Sequence, residues 1–151
     1  MLFLLFQMDR DRYALEASQI AEVLPLVEIK KIPHAPRGVA GVFNYRGAPV
    51  PAVDLSELML GRPAPARLDT RILVVREQKS GTRLLGLIAE NATATLRREP
   101  QEFVASGVSV DGAAYLGPVT QDARGLIQWV EVDKLLSEPV RAALYSESLD
   151  A

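Results

Sequence analysis

Residue types that could do chemistry are few in this chain, and they are scattered. The one histidine, His34, stands between Pro33 and Ala35. A catalytic base needs an orienting group and a nucleophile within reach, and no such pair is visible around it, so His34 reads as a solvated loop residue. Asp9 and Asp11 form a D-x-D pair, but Arg10 and Arg12 interleave them and no further oxygen ligands follow. A hairpin turn is the expectation there, not a hard-cation site. The chain has no cysteine, which removes disulfides, thiol catalysis and cysteine-held metals. G-x-x-x-x-G-K-[ST], G-x-G-x-x-G and G-x-S-x-G do not occur. The chain is expected to be no enzyme, with no catalytic residue, no metal site and no cofactor.

Recognition chemistry is better represented. In Gly41-Val42-Phe43-Asn44-Tyr45-Arg46-Gly47-Ala48-Pro49-Val50-Pro51-Ala52-Val53-Asp54-Leu55 a polar turn separates two apolar runs. Asn44 and Gly47 are the types that tolerate φ > 0, so the turn would hold Arg46 in a fixed place on the surface. Arginine suits bidentate contact with carboxylates at interfaces. It could equally pair within the chain, with Asp54 or Glu57, and only pin the turn. Trp129, the sole tryptophan, reads as a core aromatic of a terminal strand.

The elements that position these residues read as mostly β. Leu2–Met8 and Tyr13–Leu15 flank a turn at Asp9–Arg12 and predict a hairpin whose first strand is covered on both faces. Ala17, Ile20 and Val23 or Leu24 recur at helical spacing up to Pro25, predicting a short helix or single 3₁₀ turns. An extended connection with Pro33 and Pro36 leads into Val39–Phe43. After the turn, Asp54-Leu55-Ser56-Glu57 has capping-box spacing, and Gly61 and Pro63 lie where a short helix ends. Ile72–Val75 and Leu84–Ala89 form a long hairpin around residues 76–83. Further strands are expected at Ala92–Leu96, Tyr115–Thr120 and Gly125–Val132, with a turn at Asp122–Gly125. The segment Asp133–Tyr145 has a helical period that Pro139 interrupts, which predicts a two-part C-terminal helix. Short strands with Gly and Pro punctuation point to an all-β barrel or sandwich. No internal repeat is visible.

Composition bounds the partners. The chain has 151 residues, 48% apolar and 24% charged, enough for one ordinary core, so a single domain over 1–151 is expected. A net charge of −2, with 13 of the 17 basic residues being arginines spread along the chain, gives no footprint for nucleic acid or anionic lipid. Met1–Phe6 lacks a basic n-region and is followed at once by Asp9–Arg12, so it reads as a buried strand, not a signal peptide. No run approaches a membrane span, so direct membrane insertion is not expected and a cytoplasmic location is.

The pattern G-x-x-N-x-R-G at Gly41–Gly47, followed by Pro51 and Asp54-Leu55, resembles the signature of the CheW-type chemotaxis coupling proteins. Phe3–Phe6 with Tyr13 is similar to that family's opening hairpin, Ile20–Val23 to its short helical segment, Gly86-Leu87-Ile88 to a later strand, and Val132–Leu136 to its closing segment. Tyr45 stands where the motif more often has an aliphatic residue. The resemblance implies two small five-stranded β-barrel lobes packed around a shared apolar seam, with short helices and a C-terminal helical segment. It also implies a non-catalytic adaptor that couples the cytoplasmic tips of methyl-accepting chemoreceptors to the regulatory domain of a CheA-type histidine kinase. That kinase domain is built on the same fold, and a groove near the seam would take the receptor tip. Membrane receptor clusters would be reached through these partners, in flagellar chemotaxis or in a surface-sensing or pilus pathway. Positions resembling the receptor-contact region are Ile20, Glu22, Gly41, Asn44, Arg46, Gly47 and Gly86. Arg71, Ile72 and Leu73 are candidates for the kinase-facing surface. The alternative is a small ligand-binding β-barrel protein that uses the inter-lobe seam as a pocket.

Overall fold

A computed structural model describes residues 1–78 and 83–145. Ten strands are described: β1 Leu2–Met8, β2 Asp11–Glu16, β3 Ile20–Pro25, β4 Val39–Tyr45, β5 Ala48–Asp54, β6 Arg71–Glu77, β7 Arg83–Ala89, β8 Ala94–Arg97, β9 Leu116–Asp122 and β10 Gly125–Val130. They form two five-stranded sheets, of order β8-β1-β2-β10-β9 and β3-β6-β7-β5-β4. The all-β expectation and the two five-stranded lobes hold. The sheets are open, however, and do not close into barrels.

The two sheets repeat one topology. Reading across each, the pairings run antiparallel, antiparallel, parallel, antiparallel, with β2 parallel to β10 in one and β7 parallel to β5 in the other. The match requires β3 to correspond to β8, β4 to β9, β5 to β10, β6 to β1 and β7 to β2. One lobe is therefore built from consecutive strands and is inserted into the other, which takes its strands from both ends of the chain. We call them the inserted and the terminal lobe.

Each lobe has a core of its own and shares a third. Phe43, Val50, Ala52, Ile72, Val74 and Ile88 fill the inserted lobe. Phe3, Ala14, Phe103 and Ile127 fill the terminal one, where Trp129 packs edge-on to Phe3 at 4.9 Å between centroids. The largest cluster lies between them and takes Phe6, Met8 and Leu15 from one sheet and Leu73, Leu85 and Leu87 from the other. This is the expected apolar seam. Alternation explains it, because neighbours on one strand point to opposite faces: Ile72 enters the inserted core while Leu73 enters the seam. Fully burying each such side chain is worth about 1.5–3 kcal/mol.

Polar joints reinforce the seam. Asp9, in the β1–β2 turn with φ 54, receives Arg62 Nη2 at 2.8 Å, and Arg62 Nη1 reaches Glu90 at 2.9 Å. The Ser56 hydroxyl also donates to Glu90. Asp9 thus belongs to a turn and an inter-lobe ion pair. His34 lies in an exposed turn at φ 59.

Local signals mostly hold. Asp54 caps helix α1 (Leu55–Leu60), accepting from the Ser56 and Glu57 backbone N–H groups at 3.0 and 3.2 Å, and Gly61 ends the helix in the left-handed region. Among the described residues the return bond of a capping box, from Glu57 to the Asp54 backbone, is not made. The β6–β7 hairpin forms as expected; residues 79–82 at its tip lie outside the described residues. The expected strand at Ala92 begins two residues later, at Ala94. In the C-terminal segment a 3₁₀ turn at Val132–Lys134 precedes helix α2 (Glu138–Leu144). Pro139 opens α2 instead of interrupting it, since a proline in the first turn sacrifices no helical hydrogen bond.

One element departs from expectation. Ile20–Pro25 is edge strand β3, preceded by a 3₁₀ turn at Ala17–Gln19. Its half-buried and exposed residues alternate strictly, a period of two that the spacing of Ala17, Ile20 and Val23 imitated as helical. Pro25 is tolerated because an edge strand need not donate on its outer side.

Candidate functional site

The β4–β5 hairpin turns through Arg46 and Gly47, at φ 52 and 86. Two central residues with positive φ mark the type I′ turn that matches the twist of a two-residue hairpin. The left-handed positions are therefore Arg46 and Gly47, not Asn44 and Gly47. Asn44 serves differently: its Oδ1 accepts the Gly47 backbone N–H at 2.8 Å. An arginine is unusual at this place, where Asn, Asp or Gly would meet less steric cost.

Arg46 is 75% exposed and pairs with neither Asp54 nor Glu57. Its Nη2 lies 2.7 Å from Glu22 Oε1, and the Tyr45 hydroxyl donates to the same oxygen at 2.8 Å. The guanidinium also lies over the Tyr45 ring, 5.2 Å from the centroid. Asp54 is occupied at the head of α1 and by the Ala64 backbone N–H at 2.9 Å. Glu22 belongs to β3 and Tyr45 to β4, the two opposite edges of the inserted sheet. The sheet is curled enough for side chains to join edges that no backbone ladder joins. The Tyr45 hydrogen bond, opposed by partial desolvation and aided by Arg46, holds the Glu22 carboxyl below its ordinary range. The same bond, with desolvation, pushes the Tyr45 phenol up.

The structure thus brings Glu22, Asn44, Arg46 and Gly47 to one end of the inserted lobe, with Tyr45 as the member that sequence reasoning missed. Nothing in the sequence links positions 22 and 45. Ile20 lies on the same strand as Glu22 and is half-buried. Gly41 serves a different end: at φ 145, a Cβ there would lie 2.0 Å from the Lys30 carbonyl oxygen, where Lys30 bridges to Val42. Gly86 is buried, and a Cβ on it would stand 2.4 Å from Phe43 Cε1. It is the backbone on which the Phe43 ring rests. In the suggested kinase-facing triplet, Ile72 and Leu73 are fully buried. That leaves Arg71, at the start of β6 and half-buried, as its accessible residue.

A second feature lies at the base of the same hairpin. A cavity of about 530 Å³ opens at the seam between Val39, Val53 and Leu58 on one side and Leu135, Leu136 and Val140 on the other. Val39 and Tyr45 terminate β4 at opposite ends, so the cavity and the arginine turn are about 20 Å apart.

Among the described residues no cluster of three or more His, Asp or Glu side chains could hold a metal, and no helix is long and apolar enough to cross a membrane. Two pseudo-equivalent open sheets, a shared apolar seam and a charged turn held out on one hairpin define the class: a two-lobed β interaction protein. The CheW-like domain family matches residues 2–140, and the chain belongs to that family. It is 27% identical over 134 residues to the chemotaxis protein CheW of Thermotoga maritima, covering 88% of this chain and 85% of that one. With CheW of Klebsiella aerogenes it shares 23% identity over 141 residues, covering 89% and 81%. The scaffolding protein TtCheW from Thermoanaerobacter tengcongensis has the same fold, at a TM-score of 0.80 with 21% identity, covering 92% of this chain and 89% of that one.

Proposed function

We propose that this protein is a non-catalytic adaptor that couples the cytoplasmic tips of chemoreceptors to a CheA-type histidine kinase in chemosensory signalling. Family membership and likeness to relatives named as chemotaxis and scaffolding proteins support the adaptor class. The observation that carries the site assignment is Arg46. An exposed arginine placed in a left-handed turn costs roughly 1 kcal/mol of steric strain, and strain of this kind persists where function requires the side chain. On this reading Arg46 and Glu22 meet the receptor as a fixed pair of opposite charges, with Tyr45 holding Glu22 in place. Ile20 flanks the contact, and Gly41 and Gly86 support it from beneath. The kinase is assigned to another surface, which includes Arg71. The protein works in the cytoplasm and reaches the membrane through its receptors.

Binding of the purified protein to a receptor cytoplasmic fragment and to a CheA-type kinase, each alone and then together, tests the proposal. Two separate affinities and a ternary complex are expected. Charge reversal, Arg46→Glu, should weaken receptor binding by about tenfold or more, because an attraction is replaced by a repulsion. Kinase affinity should be unchanged. Failure to bind either partner would remove the adaptor assignment.

A further inference from the structure

The seam cavity has a chemical character of its own. Its walls come from β4, β5 and α1 on one side and from the C-terminal segment on the other, and they are mostly aliphatic. Four ionisable groups line it: Arg37, Tyr115, Lys134 and Glu138. Glu138 is taken up by Arg141, whose Nη1 is 2.6 Å away, and Lys134 stands 3.3 Å from Glu131. Arg37 has no carboxylate within ion-pair distance among the described residues, so one positive charge at the cavity is unbalanced. Tyr115 is only 6% exposed as a residue, but its hydroxyl, which makes no hydrogen bond among the described residues, is not sealed in the protein and opens to solvent at the cavity. Burial pushes its phenol up while the Arg37 charge acts in the opposite direction, and both residues line the one cavity.

A solvent-facing phenol at the mouth of an apolar cavity can donate to water or to a ligand that displaces it. Here the spare donor, the unbalanced guanidinium and the aliphatic walls meet in one space, whose volume is that of a small-molecule site. We propose that the inter-lobe cavity binds a small amphipathic carboxylate. Its apolar body lies against Val39, Val53, Leu58 and Leu136, and its carboxylate is held by Arg37 with the Tyr115 hydroxyl as second donor. One unbalanced guanidinium suits a monoanion; a phosphate dianion would call for more charge and fewer aliphatic walls. The site is about 20 Å from the arginine turn, and the proposal does not depend on the adaptor reading.

Sodium decanoate and decanol, titrated separately into the full chain below their aggregation limits, test the proposal by amide NMR and calorimetry. Decanoate should bind saturably, shift the amides of Val39, Leu58, Tyr115 and Leu135, and bind about tenfold more tightly than decanol. Arg37→Gln should abolish that preference while leaving decanol affinity unchanged, and Tyr115→Phe should reduce it in part. Lys30→Gln, which removes a surface cation outside the cavity, should retain it. Equal affinity for acid and alcohol, a preference that survives Arg37→Gln, or unsaturable shifts spread over exposed residues such as Leu68 and Val108 would each overturn the proposal.

Discussion

The two lobes carry equivalent hairpins, β4–β5 and β9–β10, and they use their charged ends in opposite ways. In β9–β10, Asp122 turns inward. Both of its oxygens accept from Arg12 of β2, at 2.9 and 2.5 Å, and the Arg124 backbone N–H donates to it at 2.8 Å. Arg12 is 8% exposed and also donates to the Gly125 carbonyl at 3.1 Å. In β4–β5, Arg46 turns outward and is held only by Glu22 and the Tyr45 ring. One framework thus has a turn whose acidic group is consumed by the fold, although Arg124 beside it is exposed, and another whose arginine is exposed with a single carboxylate partner. The difference teaches that hairpins of one topology can spend a charge on the fold or leave it accessible, according to how deeply the pair is buried: Arg12 and Asp122 are 8% and 28% exposed, Arg46 and Glu22 75% and 35%.

The largest effect is expected beneath the displayed hairpin. Gly86→Val puts a side chain into space filled by Phe43 and Ile72, and overpacking of this kind costs about 3 kcal/mol, or about 10 °C in melting temperature. Thermal unfolding checks it. A wild-type melt would mean that the inserted lobe tolerates its Phe43 ring elsewhere and that the glycine serves only a partner.

Next comes the inward turn. Asp122→Asn leaves the Arg12 guanidinium buried without its counter-charge, and the melting temperature should fall by several degrees. Its pH dependence has a definite sign. Arg12 and the Arg124 backbone hold the Asp122 carboxyl far below its ordinary value, so its contribution is fully present above the unfolded pKa of about 3.9 and is lost as pH falls through the folded value. The gap between wild type and Asp122→Asn should stay constant from about pH 7 to 5 and narrow below about pH 4. A gap already closing near neutrality would show that another group is responsible.

The smallest effect belongs to Tyr45→Phe. The hydroxyl is the leading cause of the low Glu22 pKa, so its removal should raise the Glu22 midpoint toward the ordinary carboxylate value with little change in stability. An NMR titration of the Glu22 carboxyl reads this directly. An unmoved midpoint would assign the effect to Arg46 alone.

The local elements behind this contrast were visible in the sequence, but the charge pairs Arg12–Asp122 and Glu22–Arg46, which join residues far apart in the chain, were not. The Asn44–Gly47 turn, the Asp54 cap, the β1–β2 hairpin and the β6 and β7 strands all announce themselves through residue types a few positions apart. Gly86 was conspicuous in its apolar strand, but the reason, the Phe43 ring, lies on a strand paired only through β5. The repetition of the lobes was hidden. One lobe takes its strands from both ends of the chain, and the matching turns, Asn44-Tyr45-Arg46-Gly47 and Asp122-Ala123-Arg124-Gly125, share only an Asn or Asp followed by Arg-Gly two residues on, a signal too short to reveal a repeat. The Glu22–Tyr45–Arg46 cluster was hidden for a related reason. It forms only when the sheet curls its outer edges together, and the edge strand that carries Glu22 imitated a helix.

The central claim is that Arg46 is kept in a strained turn for a partner and not for the fold. Arg46→Asn tests it most directly, because asparagine fits the left-handed position better and the exposed pair with Glu22 adds little to stability. Receptor-fragment affinity and melting temperature should be measured on the same preparation. The account predicts a melting temperature equal to or above wild type together with receptor binding weakened by about tenfold; a lower melting temperature with receptor affinity unchanged would contradict it.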